Sequence, residues 1–410
     1  MIRKAGFGTL MVGIFLLSLS AQSEKEYSLQ NLLEIGFQNN FRLTALSLRA
    51  EAGKAALKDA RAYANPGLSY QIGKAENYEG TIGRTTHGLS LNQAIENPFK
   101  RHYRIQAAES GWKAEEFYFR EYRLKLTHEI KKYFFTILWL KREKELSIQN
   151  LKSIRDIYQL IARKAELGEI KELEAIKLEV ESMKAENQII RIQTELQSAR
   201  ENLNTFLGKA LPEDFIVAGE LDYSPVRNPL ETLIQTALQN HPVIQKKVKE
   251  AEQAEHMLYF ARWQRFPDFE LSAFTAKDLH GQNQGLGISL HIPLWNFKSG
   301  DIARSERLLE SHQQELASLE MELAADIKNR YARVVLAQKT LDLFHKGLLK
   351  QAKESERIAR FSYQQGETSL IDYLDSQRTY LQIHKDYIHA LYTWCVEKAG
   401  LEMAAGDKVT

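Results

Sequence analysis

The chain has 410 residues and a mass of 47.2 kDa, with 55 Lys and Arg against 53 Asp and Glu. That balance gives no cationic excess for a nucleic-acid partner, and the single cysteine, Cys395, rules out an intrachain disulfide. Only 8 prolines interrupt the chain, so long helices are permitted, and the charged residues are mixed in sign, as on solvated helix faces.

The chain begins with Arg3 and Lys4, a short apolar run Leu10-Met11-Val12-Gly13-Ile14-Phe15-Leu16-Leu17, and small residues Ser18, Ser20 and Ala21. This order predicts a secretory signal peptide over residues 1–22. The run is shorter than the ~20 apolar residues a spanning helix needs, and no later stretch is long and apolar enough to be one. An exported chain of this kind either stays in water or enters a membrane as strands.

The rest reads as a tandem duplication. Leu29-Gln30-Asn31-Leu32-Leu33 aligns with Leu230-Glu231-Thr232-Leu233-Ile234, and the same offset carries Pro66 onto Pro267. Gly88-Leu89-Ser90-Leu91 meets Gly287-Ile288-Ser289-Leu290, and Gly168-Glu169 meets Gly366-Glu367. The first repeat, 23–208, is predicted to hold helices near 28–40, 42–64, 99–166 and 170–207. The second, 229–403, repeats the order with helices near 229–240, 242–264, 298–364 and 369–403. Residues 209–228, with Pro212, Gly219 and Pro225, form a linker, and 404–410 a short tail. Helices of this length, roughly 100 Å at 1.5 Å per residue, must pack lengthwise on other helices, coiled-coil fashion. The stripe Leu316, Leu319, Leu323, Ile327 and Tyr331 supplies such a packing face.

Between the second and third helix of each repeat the periodicity drops to two. In 66–93 apolar residues fall at Leu68, Tyr70 and Ile72, then Leu89 and Leu91. In 267–293 they fall at Phe269, Leu271 and Ala273, then Leu286, Ile288, Leu290 and Ile292. These are hairpins with one apolar face. Strands of this length suit a tilted crossing of a bilayer, and aromatic residues near their ends, Tyr63, Phe266 and Trp295 among them, suit membrane interfaces. Two hairpins cannot close a barrel, and open edges are excluded from hydrocarbon, so several copies must pool their strands. A small soluble sheet capped by helices is the other reading of the same pattern.

The repeat architecture and the segment Tyr363-Gln364-Gln365-Gly366-Glu367-Thr368-Ser369-Leu370-Ile371-Asp372-Tyr373-Leu374-Asp375-Ser376-Gln377 resemble the TolC family of outer-membrane efflux proteins. With Ala165-Glu166-Leu167-Gly168-Glu169-Ile170, the turn looks closest to the CzcC-like heavy-metal branch. The resemblance implies a mainly α fold with a small β part: a coiled-coil tunnel, and four strands per chain given to a trimeric 12-stranded transmembrane barrel. It implies a homotrimer set in outer-membrane lipid and reaching into the periplasm. It also implies a passive efflux conduit, served by a periplasmic adaptor and an inner-membrane pump, with metal cations as one cargo. A soluble periplasmic coiled-coil adaptor is the alternative.

By the same resemblance a periplasmic gate would use Asp372, Asp375 and Glu174, the first-half counterparts of the two aspartates being Glu174 and Lys177. Asp372 and Asp375 share a helix face, and acids ringed around an axis attract cations. Ser369 and Asp372 also have capping-box spacing, a purely structural reading. Adaptor docking at the tips would use Arg163, Leu167, Gly168, Tyr363, Gln365 and Gly366. The 11 histidines form no ligand-like cluster, so no metal site is expected. No cofactor is expected either: Gly285-Leu286-Gly287 lacks the strand–helix context of a phosphate loop. No triad or paired-carboxylate pocket suggests an enzyme.

Overall fold

A computed structural model describes residues 26–76, 83–278 and 281–407; the expected signal peptide lies outside them. In chain order the elements are β1 (Glu26–Tyr27), α1 (Leu29–Asn39), α2 (Phe41–Arg61), β2 (Gly67–Glu76), β3 (Gly83–Ile95), α3 (Pro98–Glu166) and α4 (Glu172–Phe206). They continue with β4 (Ile216–Val217), α5 (Leu230–Asn240), α6 (Pro242–Trp263), β5 (Phe269–Lys277), β6 (Gln282–Leu290) and α7 (Ser299–Leu343), then α8 (Leu349–Gln365) and α9 (Leu370–Ala405).

Local chemistry sets the helix starts. Ser28 and Asn31 form a reciprocal capping box at α1, and Asn40 accepts from the Leu43 amide at α2. Asn97 caps α3 ahead of Pro98, and His241 caps α6 ahead of Pro242, the position where a missing N–H costs nothing. At 69 residues, α3 is about 100 Å long and is the spine of the molecule.

The elements lie in three tiers. In the first, β2, β3, β5 and β6 form one antiparallel sheet in that order. In the second, the N-terminal half of α3 lies between α2 and α6, and α6 packs on α7. In the third, the C-terminal half of α3 lies between α4 and α9, and α8 packs on α9. The largest core sits where α1 and α4 meet α3, around Leu32, Leu126, Ile130, Ile192 and Leu203. A second, around Leu233, Ile244, Ile327 and Leu401, repeats it under α5. The apolar stripe expected on α7 packs there: Leu323 and Ile327 are buried, with Leu316, Leu319 and Tyr331 against them.

One feature differs from expectation. The helix expected over 298–364 is broken at Phe344–Leu348, a π-helical turn in which Gly347 takes φ 113°. Gly347 is the residue that makes the break possible, since a side chain disfavours that backbone region. The segment 209–228, expected as the linker between the repeats, packs on the core: Leu211, Phe215 and Val217 are buried, and β4 pairs in parallel with β1. Among the described residues, no helix is long and apolar enough to cross a membrane.

Candidate functional site

The candidate site is the end of the third tier, where two helix–turn–helix tips meet. In the first, Leu167 caps α3 and Gly168 has φ 76°; the amides of Gly168 and Glu169 donate back to Ala165 and Lys164 carbonyls at 2.9 Å. In the second, Gly366 has φ 80°, and the amides of Gly366 and Glu367 donate to Tyr363 and Ser362 carbonyls. Both are glycine helix ends of the left-handed kind, which satisfy otherwise orphaned carbonyls. Glu172 and Glu174 lie in the first turn of α4, where the helix dipole favours acids.

The two tips share one core. Ile157, Ile161 and Leu178 of the first pack with Leu370, Tyr373 and Leu374 of the second. The rings of Tyr363 and Tyr373 stack at 5.7 Å and 10°. Tyr373 is fully buried, and burial pushes its phenol up to about 12. Burial and the neighbouring Glu174 raise the Tyr363 phenol as well, and its hydroxyl donates to Glu174 at 3.4 Å. The structure therefore joins a residue expected at the docking surface, Tyr363, with one expected at the gate, Glu174.

Asp372 is engaged locally. Its carboxylate accepts from the hydroxyl and amide of Ser369, and its own amide donates to the Ser369 hydroxyl. Asp375 is exposed one turn on, and Arg163, Leu167, Gly168, Gln365 and Gly366 are all exposed at the tips, Leu167 to 74%.

Above the tip a polar seam links the hairpins. Gln377 donates to Asn150 at 3.0 Å, Arg378 to Glu181 at 2.6 Å, and Lys385 lies 3.6 Å from Glu143. A groove of about 220 Å³ runs between Ile154, Glu181, Gln377 and Lys385. Burial works against the charge of Glu181, but Lys184 and Arg378 together hold its carboxyl below the usual range. Sequence reasoning did not find this seam, because nothing local relates residues on different hairpins. Among the described residues, no group of three or more His, Cys, Asp or Glu could hold a metal ion.

The model of the outer membrane efflux protein family matches residues 32–209 and again 233–407. The chain belongs to that family. It is an outer-membrane efflux channel protein rather than an enzyme, and its place is the outer membrane. It is 23% identical over 393 residues to the cobalt-zinc-cadmium resistance protein CzcC of Cupriavidus metallidurans, covering 95% of this chain and 91% of that one. Its fold is similar to the CmeC outer membrane channel of Campylobacter jejuni, with a TM-score of 0.79, 16% identity, and coverage of 99% and 94% of the two chains. A membrane protein from Pseudomonas aeruginosa superposes with a TM-score of 0.78 at 18% identity, covering 92% of each chain.

In this efflux protein each tier ends, among the described residues, in two open flanks. Among the described residues, the sheet leaves one edge of β2 and one of β6 unpaired. Beside β2, the flank continues down α2 and α4; beside β6 it continues down α7 and α8. On α4, Leu173, Ile176, Val180, Met183 and Ile190 form an exposed apolar stripe at helical spacing, and Leu343, Ile358 and Phe361 are exposed on the opposite flank. The charges are opposed too. On α2, Arg42, Arg49, Lys54, Lys58 and Arg61 outnumber Glu51 and Asp59, whereas Ser299 to Ile327 of α7 carries seven acids and two bases.

Proposed function

We propose that the protein is the outer-membrane subunit of a tripartite efflux system, a passive homotrimeric conduit from periplasm to exterior. Substrate is delivered by an inner-membrane pump through a periplasmic adaptor. Metal cations are the proposed cargo class, on the whole-length likeness to a protein named for cobalt, zinc and cadmium resistance.

The observation that carries the reading is the pair of open flanks. A heterologous contact between unlike flanks generates a ring when the rotation closes. Four antiparallel strands per copy let β6 of one copy pair with β2 of the next without breaking the antiparallel pattern, and closure removes the edges hydrocarbon does not tolerate. The apolar stripe of α4 and the basic α2 meet the exposed apolar residues and the acids of the neighbour's α8 and α7. Three copies give 12 strands. Residues 23–208 and 229–403 then act as two structural repeats, each giving one hairpin to the barrel and one to the tunnel.

At the tunnel end Asp375 and Asp372 are the gate acids, with Glu174 held back by Tyr363. The exposed Arg163, Leu167, Gly168, Gln365 and Gly366, with Tyr363 beside them, offer the adaptor surface. The decisive experiment is the mass of the detergent-solubilised complex: the reading requires three copies in a membrane fraction. A monomer soluble in plain buffer would overturn it.

A further inference from the structure

The register of the sheet sorts its side chains into rows across all four strands. One row is Leu68, Leu91, Ala273 and Leu286; the next, on the other face, is Ser69, Ser90, Phe274 and Gly285. The first face carries the large apolar residues, with Leu89, Leu271, Ile288 and Leu290 beside that row and polar residues such as Lys74, His87 and Lys277 toward the hairpin tips, and its apolar part suits lipid. The second is built of small and polar residues: Gly67, Asn92, Ser272 and Gly287 form another of its rows. In a barrel that face is turned to water. Phe274 is the exception, the one large apolar side chain on that face among the described strand residues, and it is 44% exposed.

The sheet makes room for this ring. A Cβ at Gly285 would stand 2.8 Å from the Phe274 Cζ, closer than real contacts allow, so the phenyl reaches over β6 at Gly285 and would have to move to admit a side chain there. Its other row neighbours, Ser69 and Ser90, bond to each other at 2.7 Å and give it no apolar partner. A phenyl on the water-facing side gains little from burial, so its stability contribution does not explain its place.

We propose that Phe274 is the solute-contact residue of the barrel lumen, its three copies forming an aromatic belt held against the wall by Gly285; this rests on the trimeric channel reading. An aromatic face attracts cations and apolar surfaces, so the belt retards organic cations and lets small hydrated ions pass.

The test uses the full chain in planar bilayers, with tetrabutylammonium as the probe against potassium chloride current. Phe274→Ala weakens block by about two- to fivefold, the scale of one cation–π contact, and leaves the blocker-free channel open. Phe274→Leu keeps the bulk without the π face and weakens it similarly. In parallel, Phe274→Cys reacts with a charged, membrane-impermeant thiol reagent, and Ala273→Cys on the lipid face does not. The background is low, because the native Cys395 is buried and its thiol is pushed up to about 12. Channels that form normally but show unchanged block in both variants overturn the belt and leave the channel reading standing, as does equal labelling at 273 and 274. Absence of any channel from the unaltered protein overturns both. A ring that merely shields the Gly285 backbone predicts normal block with Leu, and that result also overturns the proposal.

Discussion

Glu121 gives the sharpest test of how the two halves are joined. It lies on α3 with its side chain 6% exposed; one oxygen is 2.6 Å from Lys125 Nζ on the same helix, the other 2.6 Å from Lys246 Nζ on α6. Burial works against its charge, but the two ammonium groups hold the carboxyl below its usual range. Glu121→Gln leaves Lys246, itself only 21% exposed, facing an amide. Breaking a buried ion pair costs about 3–5 kcal/mol. The Lys125 contact is largely solvated and adds under about 1 kcal/mol, so the expected loss is about 3–5 kcal/mol, set almost wholly by the Lys246 pair. Replacing both buried partners, Glu121→Leu with Lys246→Met, should return most of it, because the desolvation penalty goes with the charges. The assay is denaturation of the detergent-solubilised protein followed by helical circular dichroism, with both single variants and the double completing a cycle. A Glu121→Gln loss under about 1 kcal/mol, or single losses that simply add, would show that the pair does not tie α3 to α6. The pH dependence has a fixed sign. Because the folded-state pKa is depressed, the stabilisation is present at neutral pH and is lost as pH falls below about 4.3.

The tip separates capping from gating. Asp372→Ala should cost about 1 kcal/mol through loss of the Ser369 box, whereas Asp372→Asn should cost little, since Asn31 fills the same place in α1; circular dichroism melting distinguishes them. Asp375→Asn should weaken cation block of single-channel current more than Asp372→Asn does; equal effects would remove the special role of Asp375. A Cβ at Gly168 or Gly366 meets nothing within 4 Å, so Gly366→Ala should cost only the backbone strain of about 1–2 kcal/mol. Export should fall with larger residues there while barrel insertion, read by membrane fractionation, is unchanged. Gly347→Ala at φ 113° should destabilise the α7–α8 junction by about 1–2 kcal/mol, seen as faster amide exchange around 344–348 than in the unaltered protein.

The parts legible in sequence were those with a local signature. The hairpins followed from alternation at Leu68, Tyr70 and Ile72 and at Leu286, Ile288 and Leu290, and the tips from Gly168 and Gly366, because a glycine just past an apolar helix repeat reports its backbone directly. The break at Gly347 had a sequence signal as well, a glycine inside a helical pattern. The helical stripe from Leu316 to Tyr331 hid it, since such a pattern constrains side-chain faces and says little about one inserted residue further on. The Glu174–Tyr363 bond, the Arg378–Glu181 pair and the burial of Phe215 and Val217 join residues far apart in the chain. No periodicity encodes such partners.

A duplicated, mostly helical chain with two short, one-sidedly apolar hairpins could be read from the residues alone, because each of those properties is a repeat within a stretch of sequence. It took the folded arrangement to show that the hairpins join into one sheet whose outer edges are unpaired among the described residues, that Asp372 faces Ser369 while Glu174 faces Tyr363, and that the Phe274 ring lies over Gly285. Those outcomes depend on register and on which helices meet, quantities that arise only when distant segments compete for the same space.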